Sequence, residues 1–394
     1  MTRRSSQAKP PGDRQAYTSH SDTFLSSFSE DSNFFALVSL AVDKHRLRVF
    51  NAISGRATAE YTIPIGRVSS LVWSTFSLDA DTEQSSPVKK RKKRRVEDTL
   101  GQESPGTLLV VLGMSDGSIV LFSPSHSKVV RTLSHGSSAS AILALAPSLT
   151  SKFHLWSSSA DSSVHLWDVQ EAATSKTWKN DDRIPYKSLA LEPSTVHGNE
   201  TNLLVAHHHI RLFNALPLSS NKPKLLASFT GHASPIKSLR WMQSTGIMRQ
   251  FCSSAEGDRH IYLWDAQGAF TNAKPIASVL LDSDVRTFGF DSSDPSRAIL
   301  MALSSSGCLS FIPIPTDLTS TESLQTLQPQ SNLRYGGRGK GDLLIVGFSS
   351  IPSSAGSIRV VRLLNGIKPV FDIVVSLLHN KNLLLIHFLP AVPR

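Results

Sequence analysis

A histidine, an aspartate and a tryptophan recur in this sequence in one order, with the aspartate six residues before the tryptophan. The sets are His135, Asp161 and Trp167, then His232, Asp258 and Trp264. With serines around them, these are the ingredients of a Ser-His-Asp hydrolase, in which an imidazole takes the proton of a serine hydroxyl. Tryptophan has no part in that chemistry. Its indole N–H is a donor only. A chain from indole to Ser or Thr hydroxyl, imidazole and carboxylate satisfies polar groups inside a packed unit. Such a networked bond contributes about 1.5–3 kcal/mol, and more is lost when a partner is orphaned. The repeated spacing therefore reads as stabilisation of a repeated unit and not as catalysis.

Lys89, Lys90, Arg91, Lys92, Lys93, Arg94 and Arg95 are consecutive cations. Like charges at that density repel and cannot pack, so the run reads as a solvated loop. A cluster of this length also reads as a nuclear import signal, compatible with contacts to RNA phosphates. Ser85, Ser86 and Thr99 flank it, where phosphorylation would tune its charge. A glycine-rich stretch, Tyr335 to Gly341, follows Arg334 and carries Arg338 and Lys340. It is no P-loop: the spacing is wrong, no Ser or Thr follows the lysine, and the DLLIVGF behind it reads as a strand. Arg334, Arg338 and Lys340 are candidates for RNA contact. His207, His208 and His209 stand where the blade turn should carry its aspartate, and adjacent histidines in a strand point to opposite faces and do not readily share one metal. Paired carboxylates, zinc-protease, serine-hydrolase and dinucleotide fingerprints are missing. We expect no catalytic residues, no metal and no cofactor.

The elements that must position these groups follow from composition and period. Of 394 residues, 40% are hydrophobic and 18% charged, which is enough apolar surface for a sizeable core. Two cysteines, Cys252 and Cys308, cannot staple a fold of this size and suit a reducing compartment. The first sixteen residues lack the apolar stretch of a secretory signal. No run supplies the ~18 apolar residues of a membrane helix, so a soluble intracellular protein without a membrane partner is expected. The net charge is +10, and ten minus the seven-residue run leaves +3. The basicity is local.

Helical periodicity is hard to find. Short apolar strands recur instead, ending at Phe50, Phe122, Trp167, Phe213, Trp264, Phe311 and Val361, with separations of 72, 45, 46, 51, 47 and 50 residues. The long first gap holds a charged, low-complexity stretch at about 79–106, and without it the gap falls in step with the others. A period of about 40–50 residues built of strands marks a β-propeller with four strands per blade. The expectation is all-β: a seven-bladed WD-repeat propeller with degenerate blades over 23–375. A disordered tail at 1–22, a disordered basic insertion at about 79–106 and a short tail at 376–394 complete the chain. Trp167-Asp168 and Trp264-Asp265 are the WD dipeptides, and Asp116 repeats the six-residue spacing before Phe122. Gly231-His232 stands where such a repeat opens, and His135-Gly136 is a reversed version.

The segment SPGTLLVVLGMSDGSIVLFSPSHSKVVRTLSHG (Ser104 to Gly136) resembles the second blade of the WD repeat protein forty-three family. SIRVVRLLNGIKPVFDIVV (Ser357 to Val375), with Lys368 to Phe371 as its KPVF, is similar to that family's last blade. The fungal members are subunits of the UTP-A (t-UTP) subcomplex of the small-subunit processome. The resemblance implies a noncatalytic scaffold in nucleus and nucleolus, supporting pre-18S ribosomal RNA processing and ribosomal RNA transcription. Implied partners are other UTP-A and processome proteins, an import receptor, and the 5′ external transcribed spacer of pre-ribosomal RNA, bound weakly by this chain alone. The family's helical domain after the propeller has no counterpart in the last nineteen residues. The competing reading is an adaptor or substrate receptor of a cullin-type ubiquitin ligase. Many such receptors show Trp-Asp-x-Arg, but here the pairs run on to Val169-Gln170 and Ala266-Gln267.

Overall fold

The computed structural model describes residues 24–40, 44–78, 106–134, 140–148, 151–193, 202–215, 222–242, 249–267, 273–291, 298–315, 318, 324–334, 344–354, 356–364 and 368–375. Every regular element among them is a strand, and the strands form seven sheets in chain order. The first blade holds β1 (Phe24–Phe28), β2 (Phe34–Leu40), β3 (His45–Asn51) and β4 (Ala57–Thr62). The second holds β5 (Val68–Phe76), β6 (Thr107–Met114), β7 (Ile119–Ser123) and β8 (Lys128–Leu133). The third holds β9 (Ile142–Pro147), β10 (His154–Ser159), β11 (Ser163–Asp168) and β12 (Ala173–Lys179). β13 (Ser188–Leu191), β14 (Asn202–Ala206), β15 (Ile210–Asn214) and β16 (Lys224–Phe229) make the fourth. β17 (Ile236–Trp241), β18 (Gln250–Ala255), β19 (His260–Asp265) and β20 (Ala277–Leu280) make the fifth. The sixth has β21 (Val285–Asp291), β22 (Ile299–Ser304) and β23 (Leu309–Pro313). β24 (Gln325–Leu327) adds in parallel to β20 before β25 (Ser331–Leu333) completes it. β26 (Leu344–Ser350), β27 (Ser357–Leu364) and β28 (Lys368–Val375) are the described strands of the seventh.

The first strand of each blade stands on the axis, and β26 packs on both β21 and β1, which closes the ring. Apolar clusters lie between consecutive blades. Trp73, Val110 and Phe122 of the second blade, for example, pack on Ala36 and Leu47 of the first. A middle strand is therefore covered on both faces, and β7 (IVLFS) and β14 (NLLVA) are buried at every residue. Outer strands have one face in water. β8 (KVVRTL) accordingly alternates between exposed and covered positions. Continuous apolar runs alternating with amphipathic ones are the pattern such stacking requires. At the closing seam, Phe371 of β28 lies 6.3, 5.7 and 6.5 Å from the rings of Phe28, Phe35 and Phe50.

Five of the seven repeat ends sit as the period predicts: Phe50, Phe122, Trp167, Phe213 and Trp264 lie on third strands and pack toward the preceding blade. Two differ. In the sixth blade Ile312 packs toward the fifth, while its neighbour Phe311 faces the seventh. Val361 lies on β27, the second strand of its blade. The third strand is β28, where Val374 packs toward the sixth blade. Second and third strands are both buried on both faces, so hydrophobicity alone does not distinguish them.

Candidate functional site

The fifth blade builds the polar chain in full. β18 carries Ser253 and β19 carries Trp264, while the loop between β16 and β17 delivers His232 and the turn between β18 and β19 delivers Asp258. The Trp264 indole donates to Ser253 Oγ at 2.7 Å, and His232 Nε2 meets the same hydroxyl at 2.7 Å. His232 Nδ1 lies 3.4 Å from Asp258 Oδ2. Burial holds the His232 pKa below its ordinary value, although Asp258 pulls it upward. The neutral ring then carries its proton on Nδ1, toward Asp258, and accepts the Ser253 O–H at Nε2. Burial raises the Asp258 pKa, but hydrogen bonds from His260 and His232 outweigh it and leave the carboxyl below its usual range. Asp258 Oδ1 also receives the His260 backbone N–H at 3.0 Å and faces His260 Nδ1 at 2.9 Å. Gly231 explains the residue before the histidine: a Cβ there would meet Trp264 Cη2 at 2.9 Å and Pro275 Cδ at 3.2 Å.

This is a closed network. The His232 side chain is 0% exposed and Ser253 is 0% exposed. No substrate reaches the hydroxyl, which already accepts the indole proton. A Ser, a His and an Asp in series thus serve here as a strut.

The third blade does it differently. Trp167 donates to Ser157 Oγ at 2.8 Å. Asp161 accepts from the Ser163 hydroxyl, Ser163 Oγ meets His165 Nε2 at 2.7 Å, and His165 Nδ1 meets Thr177 Oγ1 at 3.0 Å. The histidine in that chain, His165, comes from the third strand. His135 lies outside the described residues. Asp116 caps its own turn, accepting from the Ser118 N–H at 3.0 Å. Asp168 and Asp265 of the WD dipeptides cap the turns after their strands, at Gln170 N (2.9 Å) and Gln267 N (2.8 Å).

Two further indoles join blades. Trp73 donates to Ser27 O of the first blade at 2.9 Å, and Trp241 donates to Ala190 O of the fourth at 3.2 Å. Both end the same four-residue pattern, Ser70-Leu71-Val72-Trp73 and Ser238-Leu239-Arg240-Trp241. That recurrence was the available signal for these links.

The other candidates are scattered. Lys89 to Arg95, Arg338 and Lys340 lie outside the described residues, whereas Arg334 follows β25 with its guanidinium on Asp282. The three histidines form the turn between β14 and β15, where the repeat places them, with the His207 and His208 rings 4.5 Å apart. No group of three or more His, Cys, Asp or Glu side chains able to hold a metal occurs among the described residues. No helix among them is long and apolar enough to cross a membrane.

The WD domain, G-beta repeat family model matches residues 127–168 and 223–265, the blades with the WD dipeptides. U3 small nucleolar RNA-associated protein 5 of Schizosaccharomyces pombe is 25% identical over 74% of this chain and 41% of its own length. Its Saccharomyces cerevisiae namesake is 23% identical over 50% of this chain and 28% of its own. Human WD repeat-containing protein 43 is 27% identical over 59% and 33%. The chain thus spans less than half the length of these relatives. Among solved structures, a chain of the mitotic checkpoint complex shares the fold at TM-score 0.59 and 16% identity, covering 94% of this chain and 96% of that one. U3-55K shares it at TM-score 0.54 and 14% identity, covering 87% and 89%. The chain folds as a seven-bladed propeller carrying two WD repeats, and its sequence is similar to that of U3 small nucleolar RNA-associated protein 5 and WD repeat-containing protein 43.

Proposed function

We propose that this chain is a noncatalytic scaffold of the small-subunit processome, working in nucleus and nucleolus in support of pre-18S ribosomal RNA processing. The observation that carries this reading is the match, over half to three quarters of the chain, to two fungal proteins named for their association with U3 small nucleolar RNA. The buried Ser253-His232-Asp258 chain fits a binding platform: its polar groups are spent on holding blades together. Partners are other processome proteins and pre-ribosomal RNA, with proteins supplying most of the specificity. Lys89 to Arg95 serve import through a receptor and supply phosphate contacts.

The test is crosslinking of the tagged chain in cells, reading out RNA and protein neighbours together, alongside its localisation. Processome proteins and the 5′ external transcribed spacer among the neighbours, with nucleolar signal, are the expected result. A diffuse cytosolic signal with ubiquitin-ligase neighbours would sink it.

A further inference from the structure

One position on the inner ring differs in kind from its equivalents. In the register fixed by strand pairing, it holds Val72 on β5, Ala146 on β9, Ala190 on β13, Gly289 on β21 and Ser349 on β26. On β17 it holds Arg240, paired with Cys252. Leu239 and Trp241 on either side are buried and pack toward the fourth blade. Alternation therefore turns Arg240 toward the sixth. Arg240 is exposed.

The exposure has a geometric cause. Neighbouring inner strands pack closely all round the ring except at β17 and β21. Arg240 is borne by β17 at the edge of that gap, exposed to solvent, while the surrounding blades lower its pKa through desolvation. It makes no hydrogen bond or ion pair among the described residues. The one carboxylate on the seven inner strands, Asp291, is buried. Lys237 and Arg286, the bulged residues of β17 and β21, add two cations to the same pair of strands. Ser238 lies two residues from Arg240 on the same face, about 7 Å along the strand. No carboxylate on the inner strands faces this exposed guanidinium, and a planar guanidinium beside a hydroxyl is matched by a tetrahedral oxyanion.

We infer that the gap between the inner strands β17 and β21 is a binding site for phosphate, free or as a small phosphate ester, held by the Arg240 fork with the Ser238 hydroxyl.

Calorimetric titration of the full chain with orthophosphate and with inositol hexakisphosphate tests this, with chloride at matched ionic strength as control. Saturable binding is expected, weakened about tenfold or more in Arg240→Gln. Arg240→Lys should bind at intermediate strength, because an ammonium cannot make the fork. Equal affinity for both probes assigns the site to free phosphate. Tighter binding of the ester, lost in the same variant, assigns it to an organic phosphate. Ligand-free Arg240→Gln should melt at or above the wild-type temperature, since it removes an unpaired charge. If that variant does not fold, Arg240→Lys carries the test. No saturable binding, or affinity unchanged by either substitution, overturns the site.

Discussion

Trp264 donates its indole proton to Ser253 at 2.7 Å, and that hydroxyl joins the indole to His232 and, through it, to Asp258. Ser253→Ala removes the acceptor of a fully buried indole and the partner of the His232 ring at once. Each orphaned group costs about 1–3 kcal/mol, so a loss of about 2–6 kcal/mol is expected. Trp264→Ala should cost about 3–5 kcal/mol through the cavity it leaves. Asp258→Ala, whose bond to His232 is longer, should cost about 1–2 kcal/mol, mainly through its turn cap. Urea unfolding of the purified chain reads these values, and a Ser253→Ala midpoint equal to wild type would deny the chain any energetic role.

His232 also sets a pH dependence. Its folded pKa lies below the unfolded value of 6.5 because burial disfavours the charged ring. Above pH 6.5 the ring is neutral folded or unfolded, and its contribution is full. As pH falls through 6.5 the unfolded chain takes up a proton that the native state refuses, and stability drops until the folded pKa is passed. The limit is about 1.4 kcal/mol per pH unit for one proton. His45 and His207, also lowered by burial, add with the same sign. His232→Gln should be less stable at neutral pH yet lose less on acidification. Unfolding midpoints taken between about pH 7.5 and pH 5 decide it. Parallel curves for the two proteins would show that another group carries the dependence.

The ring was legible in the sequence because strands buried on both faces leave apolar runs at a fixed interval, and because Trp167 and Trp264 kept the six-residue spacing to their aspartates. The limits are equally physical. Phe311 and Val361 mimicked third-strand ends, since a neighbouring residue or strand in a two-sided core is just as apolar. His165 was hidden because the third blade takes its imidazole from within the strand. Trp73 and Trp241 were hidden because their acceptors are backbone carbonyls on another blade, so that only the recurring Ser-Leu-x-Trp pattern hints at the links.

Those two indoles act on separate seams, between the first and second blades and between the fourth and fifth. Trp73→Phe and Trp241→Phe keep most of the ring volume and lose the donor, so each should cost about 1 kcal/mol. With no shared partner, the double variant should add within about 0.5 kcal/mol. A strongly non-additive pair would mean that the seams open as one unit.

Replacing Lys89 to Arg95 with serine and glycine should abolish nuclear accumulation without moving the melting temperature. The run falls between β5, which ends at Phe76, and β6, which begins at Thr107. Microscopy of the tagged variant beside thermal unfolding of the purified one reads both halves. A variant that stays nuclear removes the import role, and one that unfolds shows that the run supports the core.

The last prediction concerns RNA. Outside the seven-residue run the net charge is about +3, too little for a broad groove that tracks a phosphate backbone. Arg334, a candidate contact, has its guanidinium on Asp282, so engaging a phosphate there means giving up an ion pair. Intrinsic affinity should therefore be weak, largely independent of sequence and dominated by Lys89 to Arg95. Each phosphate contact with a single strand contributes about −0.7 to the slope of log affinity against log salt. With only part of the run engaged at once, the slope should be roughly −2 to −4. Titration of the isolated chain against 5′ spacer RNA and a scrambled control, at several salt concentrations, measures slope and preference together. Deleting the run should flatten the slope toward zero. Tight binding at high salt with a strong preference for the spacer would mean that the propeller reads RNA itself, and the protein-held scaffold would have to be abandoned.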